Sequence, residues 1–317
     1  MFKPQHCGLI FTDTQIQQAR LGKQKEPLKA AWEDLHTHQH SDPLAQIQWL
    51  GWQYRFNGSI AAGEQAVTAL HQAKDTDDQH LPYFDALGRA FVLAQCFEML
   101  RDHPTYEMGQ QAQFLDVYFA RISQLNERVY EPTLLETLWI AVMNAAAAIV
   151  LERPPIFDQV ATVYRNVIDT EVHPEGYLPK VVDYPEAQSL TNQVLAALAL
   201  SLIAEMGANS GVDLWGYENR GVSALTAVTY PLYYYYYPEK WQWNGEPYKP
   251  SDGVELETGQ QIFRDHPGFM EIADRRYAKP LKAIEMILGE LRPVYDFYGG
   301  GPLTLAYAKP KRRGLFG

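Results

Sequence analysis

Residues 171–217 read EVHPEGYLPKVVDYPEAQSLTNQVLAALALSLIAEMGANSGVDLWGY, and this stretch decides the fold. It opens on a turn punctuated by Pro174, Gly176 and Pro179. A helix is predicted from about Ala187 to Met206. Its polar side chains, Gln188, Ser189, Thr191, Asn192 and Gln193, crowd the first two turns. From Val194 to Met206 it is apolar on nearly every side, interrupted only by Ser201 and Glu205. A helix apolar all round is buried all round. The expectation is a helix inside the fold whose N-terminal turns open toward a polar space.

Working outward, the same helical spacing recurs. Gly8–Phe11 is an apolar lead, and Thr12 and Asp13 cap a helix through Arg20. A second helix runs from about Glu26 to His38. It ends in His36, His38 and His40, a spacing that would share one face on a strand. At a helix end, alternate residues point about 200° apart, so a solvated polar terminus is expected and not a metal site. Hairpins follow at Pro43–Lys74, turning at Asn57-Gly58, and at Phe84–Leu100 with Thr105–Asn126, turning at Asp102-His103-Pro104. Further helices are predicted over Thr133–Leu151, Ile156–Asp169, Gly221–Tyr235, Ile262–Arg275 and Pro280–Leu291. No segment alternates long enough to make a strand. About ten to twelve helices on short loops suit an all-α chain of antiparallel helical hairpins, as a toroid or a solenoid. Residues 74–83 (KDTDDQHLPY) and 241–259 (WQWNGEPYKPSDGVELETG) read as polar loops at a cleft. Gly299–Gly301 reads as a tight packing element. The expected organisation is a single domain over residues 1–308 and a basic, mobile tail over 309–317.

Composition narrows the function. With 46% hydrophobic residues in 317, the chain can build a large core. A net charge of −11 disfavours nucleic acid and anionic membrane as partners. Twenty Tyr and seven Trp suggest a cleft lined with rings, suited to a small molecule or an oligosaccharide. The two cysteines, Cys7 and Cys96, sit in apolar settings and read as buried thiols. The start, MFKPQHCGLIF, lacks a signal-like apolar run and no run reaches a membrane span, so a cytoplasmic protein is expected. The Gly-rich turn follows no strand–helix unit, and neither a cofactor nor a metal is expected.

GYLP at 176–179, the Ile-Ala-Glu-Met run at 203–206 and the Gly-Val-Asp-Leu-Trp loop at 211–215 resemble the alginate lyase family of polysaccharide lyases. The likeness is specific from about Pro155 to Tyr217, with weaker echoes near both ends. It implies an incomplete α/α toroid and β-elimination on a uronic-acid-containing oligosaccharide. That reaction needs a group to neutralise the sugar carboxylate, a base for the C5 proton and an acid for the leaving oxygen. The family shares these roles among an Asn-His pair, an Arg and a Tyr. Carried over residue by residue, the pair falls on Glu136 and Thr137, with Trp139 matching the aromatic that follows it. The Tyr falls on Thr191 or Asn192, and the Arg on Tyr184 or Pro185. The frame matches while its expected reagents do not.

Three accounts follow. Elimination could use other residues: Tyr184 as base and acid, Lys180 on the carboxylate, and Asn192 or Gln193 donating to it. A hydrolase would need two carboxylates, Glu136 with Asp85 or Asp183. A binding protein would need neither. Each residue also has a plain structural reading: Glu136 and Asp85 as first-turn carboxylates, Asn192 and Gln193 as partners of backbone groups, and Lys180 as solvated. In TYPLYYYYYPEKWQW (229–243), Tyr233, Tyr237, Trp241 and Trp243 are candidates for a sugar-stacking platform, because consecutive residues point about 100° apart and some must face outward. Arg264 and His266, with Arg275 and Arg276, are candidates for a basic cleft wall.

Overall fold

The computed structural model describes residues 2–74, 80–182, 188–243, 254–277 and 281–310. Among these, sixteen α-helices carry the fold. The first eight are α1 (Asp13–Gly22), α2 (Leu28–Thr37), α3 (Pro43–Trp52), α4 (Ile60–Ala73), α5 (Tyr83–Leu100), α6 (Met108–Glu127), α7 (Leu134–Val150) and α8 (Pro154–Asn166). A short α9 (Pro179–Val182) leads to the long α10 (Ser189–Asn209). Then come α11 (Ala224–Thr229), α12 (Tyr233–Tyr236), α13 (Leu256–Asp265), α14 (Gly268–Arg276), α15 (Lys282–Leu291) and α16 (Leu303–Tyr307). Starts are chemically marked. The Asp42 carboxylate accepts from the N–H groups of Leu44 and Ala45 at the head of α3, with Pro43 in the first position.

Helix α10 matches its expectation, starting two residues later and ending three later than predicted. Its apolar residues are buried, but for half-buried Ala208 near its end. The two polar interruptions are satisfied. The Ser201 hydroxyl donates to the Ala197 carbonyl. The Glu205 carboxylate accepts from Arg276 and from the Trp215 indole. Burial raises the Glu205 pKa, and the Arg276 guanidinium opposes that shift. By length and composition α10 could cross a membrane, but it is the buried centre of this core.

Five helices line the inside of the ring, and they run parallel. Asp42 before α3 pairs with Arg89 in α5, while Gly51 near the end of α3 lies against Met99 near the end of α5. Phe84 meets Trp139 at the heads of α5 and α7, and Arg101 just after α5 donates to the Val150 carbonyl at the end of α7. An N-terminal strap crosses these far ends. His6 bonds to Glu98 of α5 and reaches Glu152 beyond α7, and the Lys3 N–H donates to the Ser210 carbonyl beyond α10. Gly268 lies against Leu198, and Arg276 pairs with Glu205, so α14 runs with α10. Outer helices return antiparallel: α4 backs α3, α8 backs α7, and α6 packs against both α5 and α7. α16 packs on α14 at one side and on α1 and α2 at the other. This is the incomplete α/α toroid of helical hairpins expected from the sequence.

The Gly-rich turn is the packing element anticipated. Gly300 and Gly301 take φ of +109° and +106°, and a side chain on them would collide with Ile10 and Trp52. The Gly300 carbonyl accepts from the Trp52 indole and the Gln95 amide, tying the end of the chain into the ring.

Two predicted helices are corrected. In place of a helix over Gly221–Tyr235 there is a two-residue hairpin, β1 (Glu218–Asn219) with β2 (Val222–Ser223), and then α11, a 3-10 turn and α12. Gly221 sits at φ +74°, outside helical space, and Pro231 cannot donate to the preceding turn. The helix expected over Ile262–Arg275 is split into α13 and α14 at His266-Pro267, because Pro267 disfavours helical geometry in the residue before it.

Candidate functional site at the heads of the inner helices

Since the inner helices run parallel, their heads share one rim. On the α5–α7 side, half-buried Phe84 and Tyr298 flank Trp139, with ring centres 4.8 and 6.2 Å away. The Tyr298 hydroxyl donates to the Asp85 carboxylate at 2.9 Å. Burial, then Asp85, pushes the Tyr298 phenol well above its ordinary value. Trp139 is fully buried, and its indole N–H has no hydrogen-bond partner among the described residues.

On the α10 side the GYLP turn is stitched to the helix head. The Leu178 N–H donates to the Gln193 side-chain oxygen at 3.1 Å, and the Gln193 amide donates to the Gly176 carbonyl at 3.3 Å. Ser189, the first residue of α10, accepts from the Trp241 indole at 2.7 Å and donates to the Trp243 carbonyl. So fixed, the turn presents His173 stacked on Tyr177 at 4.4 Å. Tyr177 meets Trp243 at 4.8 Å and Tyr230 at 5.5 Å. Tyr230 meets Tyr234 at 5.6 Å, Tyr234 meets Tyr233 at 5.3 Å, and Tyr233 stacks on Tyr237 at 5.0 Å. The spacing of 230, 233, 234 and 237 is what places these rings side by side on consecutive helical turns. The result is a continuous ribbon of aromatic rings leading away from the head of α10.

Its polar groups are mostly donors. The Trp243 indole donates to the Tyr230 hydroxyl at 3.1 Å, which lies 3.4 Å from the Tyr234 hydroxyl. The Glu175 N–H donates to His173 Nδ1, which leaves the proton of the neutral ring on Nε2. Burial raises Tyr177, helped by the Glu175 charge, and burial raises Tyr234, helped by the Tyr230 hydroxyl. These phenols therefore stay protonated at neutral pH. At the outer end, Lys240 Nζ lies 4.9 Å from the Tyr237 ring centre and 5.8 Å from that of Tyr233. Hydrogen bonding to the Tyr233 hydroxyl raises the Lys240 pKa.

The residues singled out from sequence are scattered in role. The Glu136 carboxylate is no free reagent: it accepts from the Thr133 N–H at 2.7 Å and hydroxyl at 2.8 Å, closing a capping box on α7. Lys180 is exposed and paired with Glu171 at 2.8 Å. Gln193 is buried and spends its amide on the GYLP turn. Asn192 is half-buried at the rim, with no side-chain hydrogen bond among the described residues. Tyr184 and Asp183 lie outside the described residues. Of the four platform residues, Tyr233 and Tyr237 are 48% and 47% exposed and Trp243 is half-buried. Trp241 is buried and offers no face, because its indole is drawn in by Ser189. Trp139 likewise cannot stack on a ligand.

The basic wall does not assemble. Arg264 is exposed on α13. Arg276 is held by Glu205, and Arg275 lines a separate cavity of about 320 Å³ with Gln18 and Lys25. His266 is half-buried with Nδ1 unpartnered among the described residues. Among the described residues no three metal-ligating side chains converge. His40 instead stacks on Tyr295 at 4.4 Å. Sequence reasoning missed His173, Tyr177, Tyr230 and Tyr234. The first two flank Gly176 within the stretch that decides the fold, so the signal was present.

The alginate lyase family model matches residues 83–241, half of the chain. No curated protein matches it. Among solved structures, a variant of alginate lyase A1-III complexed with tetrasaccharide is similar, with a TM-score of 0.70 and 17% identity over 85% of this chain and 76% of that chain. Alginate lyase A1-III from Sphingomonas species A1 gives 0.69 and 16%, covering 84% and 76%. An alginate lyase from Bacteroides ovatus gives 0.65 and 14%, covering 84% and 73%. At these identities the likeness speaks for the fold.

Proposed function

The chain belongs to the alginate lyase family, and from that premise we propose that it cleaves a uronic-acid-containing oligosaccharide by β-elimination. The observation that carries this reading is the aromatic ribbon joined to the head of α10, whose ring spacings of 4.4 to 5.6 Å give an extended sugar several faces to lie on. In the reaction a base takes the C5 proton and the C5–H electrons become the C4=C5 double bond. The C4–O bond breaks, and the leaving oxygen takes a proton. The protonated phenol of Tyr177 and the hydroxyl of Tyr230 suit the donor role. His173 Nε2–H and the Asn192 amide suit neutralisation of the sugar carboxylate. Tyr184 is the proposed base.

A second reading, binding without turnover, is favoured by one observation: Glu136 and Lys180, both named for catalysis from sequence, are engaged by Thr133 and Glu171. Hydrolysis is less favoured, because Glu136 caps a helix and Asp85 is held by Tyr298. One assay separates them. Elimination conjugates the new double bond to the carboxylate, so ultraviolet absorbance rises on incubation with polyuronate. Reducing ends without that absorbance mean hydrolysis, and thermal stabilisation with neither means binding alone. Either of the last two outcomes overturns the lyase reading.

A further inference from the structure

We propose that Tyr233, Tyr237 and Lys240 form an outer subsite that holds one sugar unit by its ring face and its carboxylate together. The inference rests on the sugar-binding reading above and adds a place and a charge preference to it. The two rings are among the few large apolar side chains left open, each close to half exposed. The two rings stack on each other, and about half of each stays open to a ligand.

The ammonium fixes what that something is. Tyr233 and Tyr237 centres are 5.0 Å apart, and Lys240 Nζ is 4.9 and 5.8 Å from them, so the three points close a nearly equilateral triangle. The charge therefore lies over both rings, at their junction. Among the described residues no carboxylate forms an ion pair with Lys240; the Tyr233 hydroxyl and the Glu239 charge act on it. A pyranose ring laid on either tyrosine brings a substituent carboxylate within reach of Nζ, whereas a neutral sugar would find the same faces and no use for the charge.

The location agrees. Tyr233 touches Tyr234, Tyr234 touches Trp241 at 4.7 Å, and Trp241 is bonded to Ser189 at the head of α10. The subsite is thus the far end of one aromatic path that begins at the rim. A chain lying along that path would place its acidic units at both ends of the ribbon, and Lys240 would set how many units are gripped.

The test is calorimetric titration of the full chain with oligomannuronate tetramers and with neutral mannotetraose. Lys240→Gln should weaken the acidic tetramer roughly three- to tenfold and leave mannotetraose unchanged. Lys240→Glu should weaken the acidic tetramer further. Tyr237→Ala should weaken both sugars, roughly tenfold. All three positions are exposed, and circular dichroism melts of each variant check that the fold is retained. If the wild-type chain binds the acidic tetramer and Lys240→Gln binds it equally well, or loses both sugars alike, the subsite assignment is wrong while the family-based reading stands. If the wild-type chain binds neither sugar, both proposals fall.

Discussion

Glu136 illustrates how a side chain put forward for catalysis from the sequence can be committed elsewhere. Its carboxylate closes the capping box of α7 and so serves the helix. Glu136→Gln, which keeps the reciprocal bond, should leave stability nearly unchanged, while Glu136→Ala should cost about 1 kcal/mol in urea unfolding. His40 gives a pH signature. Burial, then the neighbouring His38, lowers its pKa to about 4. An unfolded histidine titrates near 6.5. Between these values the unfolded chain binds more protons, so the contribution is whole above about pH 6.5 and fades as pH falls toward 4. Because the ring keeps some contact with water, the loss should be roughly 1–2 kcal/mol. Urea midpoints at pH 7 and 4.5 should show a smaller drop for His40→Gln than for the wild type. Such roles were half legible: the sequence names Glu136 as a first-turn residue, but not which partners claim His40.

Elements were more readable than their breaks. The length and burial of α10 follow from composition alone, since thirteen residues with two polar exceptions can face only protein. The splits at Pro231 and Pro267 were written in the chain too, yet apolar spacing runs straight through both and masks them. Gln193 was readable as a polar residue near a helix head. That it bonds a turn fifteen residues earlier is a tertiary fact. Gln193→Ala should therefore cost roughly 1–3 kcal/mol, because the buried Leu178 N–H loses its acceptor. It should also loosen the turn that displays His173 and Tyr177, visible as faster amide exchange there. Gly300→Ala combines a left-handed backbone with a collision at Ile10, and should lower the melting temperature more than any surface alanine substitution.

At the scale of the molecule, the hairpin count follows from periodicity, and the ring follows from contacts far apart in sequence. The strap at residues 3–6 crosses the ends of α5, α7 and α10, and α16 is wedged between α14 and the first two helices. No local pattern announces these closures. The ribbon is also a product of closure, because the 173–177 turn and the 230–243 segment meet only across the head of α10. That is why Trp241, equal to Trp243 on paper, is lost to the core.

The shared direction of the inner helices carries an electrical consequence. Each helix head is worth about half a positive charge, and the heads of α3, α5, α7 and α14 meet it with the carboxylates of Asp42, Asp85, Glu136 and Asp296. Only α10 starts without such a carboxylate among the described residues, on a molecule whose formal charge is −11. A polyanion is repelled by the body and least opposed at the head of α10, which orients it on approach. Its association should quicken as ionic strength rises from about 0.01 to 0.5 M, as the Debye length shrinks and the repulsion is screened. A neutral chain of equal length should associate at one rate throughout, and stopped-flow fluorescence of the rim tryptophans can read both.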